Sequence, residues 1–267
     1  MKKFTVSLLL MVAIAVVFCT AKPAPDSSFY FVQITDTHWG PDIHTQRLKK
    51  IVDAINALPM KIEFVAHTGD IASDDLDNMT LLSNTLSIYK QLKYPLYFVP
   101  GNHDIVKYKA DKTLNIFTNY FSPLNYTVEV KGVVMLFTFL EPLRENYTIT
   151  NYDPYKWVDG TLKANKNKPV IIFEHSPVIP DFYNNAYHYP YDEKETAGWQ
   201  TIVNKYKNVK GIICGHFHRA EFFWIGEVPC HVAGSVAEYW ERQATFRVYE
   251  YKNGKLSYFT VYIEDKK

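Results

Sequence analysis

Five short polar clusters stand at the ends of apolar runs in this chain: Asp36-Thr37-His38, Gly69-Asp70, Gly101-Asn102-His103-Asp104, Glu174-His175 and Gly215-His216-Phe217-His218. Carboxylate, imidazole and carboxamide oxygen together suit divalent ions of intermediate hardness, such as manganese, iron or zinc. The absence of thiolates from the set argues against a structural zinc site. The groups also outnumber what one tetrahedral ion needs and suit two ions sharing a bridging carboxylate. Such a pair, about 3.5–4 Å apart, is a common arrangement for displacement at phosphorus.

The elements that must position these groups follow from periodicity. Residues 29–34, 62–66, 96–100, 169–173 and 211–214 are short runs rich in β-branched and aromatic residues, the pattern of buried strands. Helical spacing over residues 43–58 and 76–92 separates the first three runs, and further helices are expected over 112–120, 153–163 and 195–206. Strands are expected over 126–130 and 133–139. From Arg219 onward the pattern becomes antiparallel, with runs at 221–225, 229–233, 245–251 and 256–263, and Asn253-Gly254 placed as a type I′ hairpin turn requires. Alternating strands and helices followed by hairpins predict an α/β fold of two packed sheets covered outside by helices. In an open α/β sheet the crevice lies beyond the carboxyl ends of the strands, so the five clusters are expected to converge there. The i, i+2 spacing of Asp36 and His38, and of His216 and His218, would place both side chains of a pair on one side of an extended segment.

These five blocks, in this order and each after an expected strand, resemble the motifs of the calcineurin-like metallophosphoesterase superfamily. They span residues 36–218, most of the chain. The resemblance implies a four-layer α/β/β/α sandwich of two mixed sheets flanked by helices, holding a dinuclear metal centre. Carried over by motif, Asp36, His38 and His218 would bind the first ion, Asn102, His175 and His216 the second, and Asp70 would bridge them. It further implies a hydrolase in which a hydroxide held between the ions attacks phosphorus while His103 serves as general acid, oriented by Asp104. An imidazole near its unperturbed pKa suits that task, and a neighbouring carboxylate favours its charged form. Ser73 occupies the place where the red iron phosphatases of the superfamily carry a tyrosine ligand, which argues against that subgroup. Asp74, four residues after Asp70, reads as a turn residue, with an acid supporting the site from behind as the other reading. The length, His175-Ser176-Pro177 and the antiparallel strands after Arg219 look most like the small cyclic-nucleotide and other phosphodiesterases of the superfamily. A phosphomonoesterase or nucleotidase using the same site is the alternative, and a non-catalytic metal- and phosphate-binding module is a more distant one.

Around the centre, Trp39 beside His38 and Arg219 beside His218 are candidates for substrate contact. The tyrosine-rich stretch 177–191 could offer a face to a base or sugar. His44, His67, His188 and His231 fall outside the five blocks and read as structural, His67 as packing beneath the site.

Met1-Lys2-Lys3, the apolar run 4–18 and Cys19-Thr20-Ala21 have the layout of a secretory signal peptide, with cleavage expected after Ala21. The expected organisation is a signal peptide at 1–21, a linker at 22–28 and one metallophosphoesterase domain at 29–267, giving a secreted or periplasmic protein without a membrane span. Removing two lysines from 29 basic residues leaves 27 against 28 acidic ones, a charge near −1 that gives no sign of nucleic-acid binding. Cys214 and Cys230 then remain, too few for a disulfide framework; they are expected as two buried thiols, with a single bridge between neighbouring strands as the alternative.

Overall fold

The computed structural model describes residues 28–180 and 190–265. The expected signal peptide and the centre of the tyrosine-rich stretch, including Phe182, Tyr183, Tyr187, His188 and Tyr189, therefore lie outside the described residues.

The chain begins with a β-α-β-α-β run: β1 (Phe29–Ile34), α1 (Asp42–Asn56), β2 (Ile62–Thr68), α2 (Met79–Tyr89) and β3 (Leu96–Val99). After a short 3-10 turn come α3 (Ala110–Tyr120), β4 (Tyr126–Val130), β5 (Val133–Phe137), α4 (Glu141–Arg144), α5 (Pro154–Ala164) and β6 (Val170–Phe173). The remainder is α6 (Glu193–Lys205), β7 (Val209–Cys214), β8 (Glu221–Ile225), β9 (Val228–Val232), β10 (Ala244–Lys252) and β11 (Lys255–Ile263). Among the described residues, one sheet runs β11-β10-β1-β2-β3 and the other β4-β5-β6-β7-β9-β8.

Both sheets are mixed. β1, β2 and β3 run parallel, with antiparallel β10 on the other side of β1. β5, β6, β7 and β9 run parallel, with β4 and β8 antiparallel at the edges. The sheets face each other through aromatic side chains. Phe31 stacks between Phe64 and Tyr249 at ring distances of 4.9 and 5.0 Å, and Phe137 stacks on Phe173 at 4.6 Å. Each such ring, fully buried, contributes about 1.5–3 kcal/mol relative to exposure. Outside the first sheet, Leu48, Ile51, Val52 and Ile55 of α1 join Ile34 and Val65. Outside the second, Val158 and Leu162 of α5 and Trp199 and Val203 of α6 join Ile172 and Ile212. The result is the four-layer α/β/β/α sandwich expected from the motifs.

The run of hairpins expected after Arg219 divides between the sheets. β8 and β9 extend the second sheet, whereas residues 233–243 cross back and β10 with β11 extends the first. The crossing is fixed by Val236 and Ala237, whose N–H groups donate to the carbonyls of Thr35 and Asp36 at 3.1 and 3.0 Å. Asn253 and Gly254 both have positive φ, 51° and 78°, as the type I′ turn requires. Helix α4 follows the expected strand 133–139, which ends at Phe137 instead.

Candidate dinuclear metal centre

The carboxyl ends of β1, β2, β3, β6 and β7 meet at one edge of the sandwich, so groups far apart in sequence share one crevice. Two buried clusters form there: Asp36, His38, Asp70 and His218, and Asp70, His175 and His216. Asp70 belongs to both. Its Oδ2 lies 3.1 Å from His175 Nε2 and 3.6 Å from His38 Nε2, while Oδ1 accepts the backbone N–H of His103 at 2.9 Å. Asp36 Oδ1 lies 3.3 Å from His218 Nε2, and the two Nε2 atoms of His38 and His218 are 3.2 Å apart. Asn102 Oδ1 is 3.2 Å from His175 Nε2, which in turn is 3.3 Å from His216 Nδ1. All seven residues expected as ligands are therefore brought together.

The donor set fits divalent ions. In each cluster the ligand atoms lie within 4.8 Å of one another, close to the span of donors around one ion with bonds of about 2.0–2.2 Å. Burial pulls the His38 imidazole down to about 3 despite the Asp70 carboxylate, so it presents a lone pair. Burial alone would lower His175 too, but Asp70 and Asp36 outweigh it and push its pKa up to about 10. Without an ion, His175 thus carries a proton that compensates the buried carboxylates, and an ion taking that place displaces it. Asp70, which burial alone would raise, is held well below the usual carboxylate range by His175 and His103.

The backbone reaches this geometry differently from the extended segment expected for the i, i+2 pairs. Asp36, His38, Asp70, His216 and His218 all lie in the left-handed region, with φ of 51°, 41°, 55°, 71° and 53°. Side chains reach the crevice because the chain coils left-handed after β1, β2 and β7. Outside glycine this conformation is uncommon and costs about 1–3 kcal/mol per residue, a strain that clusters at functional sites. Backbone bonds hold it: Asp36 N–H donates to Gly69 O at 2.9 Å and His38 N–H to Asp70 O at 3.0 Å. Gly101 is required for space rather than for a turn, because a Cβ there would collide with the Asp70 carboxylate and backbone nitrogen.

Supporting contacts fix the rings. His175 Nδ1–H donates to Thr68 O at 2.7 Å, leaving Nε2 toward the site. His67 lies under the centre as expected, its Nε2 3.1 Å from Thr37 Oγ1 and its ring stacked on Phe98.

His103 stands at the mouth, its ring 5.2 Å from that of His38. The expectation that Asp104 orients it is corrected by the structure. Asp104 is fully buried, and its carboxylate accepts three backbone N–H groups, from Ile71 at 2.9 Å, Ala72 at 2.8 Å and Gly101 at 2.8 Å. Those bonds join the loops after β2 and β3. The partner of His103 is Asp74, whose Oδ1 lies 2.8 Å from Nδ1. Burial would lower the His103 pKa, but Asp70 and Asp74 push it up to about 9. Burial and the Asp70 charge push the Asp104 carboxyl up to about 7 against its N–H donors.

Trp39, expected at the rim, is buried at 3% exposure and donates Nε1–H to Asp75 Oδ1 at 2.6 Å. Packing under the β2–α2 loop keeps it from the crevice mouth. Arg219 is half-buried beside the centre and donates Nε–H to Glu221 at 2.6 Å. Tyr191, at the described end of the tyrosine-rich stretch, is buried too. The rim is supplied instead by residues that the motifs did not indicate. The Tyr239 ring lies 5.2 Å from His38 and 5.0 Å from His218, and the Trp240 ring 5.3 Å from His218. Arg242 donates to the carbonyls of Phe217 and His218 at 3.4 and 3.0 Å. The adjacent Tyr239-Trp240 pair was the one signal that could have drawn attention to this crossing segment. Cys214 and Cys230 are buried free thiols with sulfur atoms 3.6 Å apart.

A two-sheet sandwich whose strand ends gather two buried Asp/His clusters around a shared carboxylate defines a dimetal phosphoesterase. The calcineurin-like phosphoesterase family model matches residues 29–220, and the chain belongs to that family, hydrolases of phosphoester bonds. It is 24% identical over 214 residues, 70% of each chain, to the "Probable cyclic nucleotide phosphodiesterase" of Colwellia psychrerythraea. It is 25% identical over 205 residues, 70% of this chain and 71% of the other, to the "Probable glycerophosphodiester phosphodiesterase GpdQ" of Arcobacter nitrofigilis. A dimetal phosphatase from Danio rerio shares the fold at a TM-score of 0.64 and 12% identity, over 88% of this chain and 98% of that one. Among the described residues no helix is long and apolar enough to cross a membrane.

Proposed function

We propose that the protein is an exported phosphodiesterase. In this reading Asp36, His38 and His218 hold one divalent ion, Asn102, His175 and His216 hold a second, and Asp70 joins both. Manganese, iron and zinc all suit this donor set. When bound, the ions lower the pKa of water and neutralise charge on the phosphoryl group. The residues of the chain do the rest. The buried carboxylates and imidazoles would hold the ions at the β-strand ends, beneath the crevice where the phosphoryl group binds. Asp74 accepts from His103 Nδ1–H, so Nε2–H is the proton that His103 gives to the departing oxygen.

The observation that carries the reading is the His103–Asp74 pair, 2.8 Å apart at the open mouth of two buried clusters that share Asp70. The choice of a diester is supported by the relatives named for cyclic nucleotides and glycerophosphodiesters. Export is supported by the charged, apolar and small-residue order of residues 1–21.

The purified mature protein, its native metals measured first, is assayed on bis(p-nitrophenyl) phosphate and p-nitrophenyl phosphate. The expected result is a higher kcat/KM for the diester, and preference for the monoester would overturn the reading. Mass spectrometry of the secreted chain is expected to find Lys22 at its amino terminus, and an intact Met1 would overturn cleavage.

A further inference from the structure

Beside the centre, on the His218 side, lies a cavity of about 220 Å³ lined by Arg219, Arg242, Thr245, Thr260 and Tyr262 together with His218. It is smaller than the roughly 300–1,000 Å³ of pockets that enclose a whole small ligand, so it suits one substituent of a larger substrate. Its side chains are hydrogen-bond donors, two of them guanidinium groups. Glu221 pairs with Arg219 through Nε, and Arg242 uses one terminal nitrogen on backbone carbonyls. The other terminal N–H groups of both arginines find no acceptor among the described residues. One carboxylate against two guanidinium groups leaves the cavity positive.

The cavity borders the reacting centre through His218, which belongs to one of the two clusters and also lines the cavity. The Trp240 ring lies 5.3 Å from His218, and the Arg242 guanidinium lies 5.2 Å over that indole. Trp240 and Glu241 are held in left-handed backbone, with φ of 54° and 57°. Strain of that kind in a rim segment is a mark of functional placement. His103 instead packs against His38. The side where the leaving group is protonated and the side where the cavity opens are therefore different.

We infer that this cavity is a specificity subsite for the retained substituent of the diester, and that the substituent it takes is anionic, ending in a carboxylate or phosphoryl group. Arg219 and Arg242 bind its oxygens by charge-assisted bonds, and the Thr260 and Tyr262 hydroxyls complete the donor set. The inference rests on the phosphodiesterase reading.

The test uses p-nitrophenyl alkyl phosphates with one leaving group and varied retained chains: 2-carboxyethyl against propyl, and 4-carboxybutyl against pentyl. At least one carboxylated ester is expected to exceed its uncharged counterpart about tenfold in kcat/KM. The preference is expected to fall to about twofold or less in Arg219→Met and in Thr260→Phe, which fills the cavity from β11. Ratios near one throughout the wild-type series, with turnover intact, would overturn the subsite alone. So would a preference that survives in both variants. No turnover of any of the esters would remove the diesterase reading and the subsite with it. Inorganic phosphate and sodium propionate as inhibitors distinguish a phosphoryl from a carboxylate preference, because only the favoured anion should weaken its inhibition in Arg219→Met.

Discussion

His103 Nδ1 and Asp74 Oδ1 lie 2.8 Å apart, although 29 residues separate them in sequence. The carboxylate next in sequence to His103, that of Asp104, faces the other way and ties three backbone N–H groups together. Adjacent residues on a tight loop after a strand point in different directions, so chain neighbourhood was a poor guide to which acid serves the imidazole.

That division separates two substitutions. Asp74→Asn is expected to slow esters with poor alkoxide leaving groups about a hundredfold, and aryl esters, which need little protonation, by no more than about threefold. Asp104→Asn is expected to lower stability by about 2–3 kcal/mol, because the new amide group meets backbone donors it cannot accept from. Chemical denaturation and kinetics on both ester types distinguish them. Equal kinetic loss for both leaving groups in Asp74→Asn would sink the proton-transfer role.

Metal content and stability should move together. With two clusters sharing Asp70, reconstituted protein is expected to hold about two equivalents of manganese or zinc, and Asn102→Ala about one. Saturation at a hundred times Kd is expected to stabilise the fold by about 2.7 kcal/mol for each site. Elemental analysis with thermal unfolding before and after chelation checks this; a Tm indifferent to chelator would contradict it.

Gly101→Ala tests the packing requirement at the loop after β3. A Cβ at this position meets the Asp70 carboxylate, so the shared ligand must shift. Displacement of a reacting group by about 1 Å costs about a hundredfold in rate, and a fall of that order in kcat/KM with reduced metal content is expected. Wild-type activity in this variant would show that Asp70 has room to yield.

The acid limb of stability depends in part on His231, which lies between Phe222, Tyr249 and Tyr258 with no hydrogen-bond partner on either nitrogen among the described residues. Burial, reinforced by Arg247, pulls its pKa down to about 4. Unfolded, the imidazole takes up a proton near 6.5. Between those values the unfolded chain binds more protons, so stability falls as pH drops from about 6.5 to about 4, by up to about 3 kcal/mol from this group. Above about 6.5 the group contributes no slope. His231→Leu is expected to flatten that limb in urea unfolding at pH 7 and pH 4.5, and parallel profiles for the two proteins would refute the assignment.

The sequence by itself determined the strand ends, the seven candidate ligands and the two-sheet architecture. Each of these rests on local information: alternating apolar runs specify strands, and metal chemistry demands particular side chains wherever those strands stop. Tertiary structure decided what depends on direction and on distant chain. The left-handed backbone at Asp36, His38, His216 and His218, the exchange of Asp104 for Asp74 behind His103, and the burial of Trp39 all follow from how loops pack against one another. The rim of Tyr239, Trp240 and Arg242 exists because residues 233–243 cross from one sheet to the other over the centre. Such a crossing is specified by hydrogen bonds to Thr35 and Asp36, some two hundred residues away, and no local spacing records it.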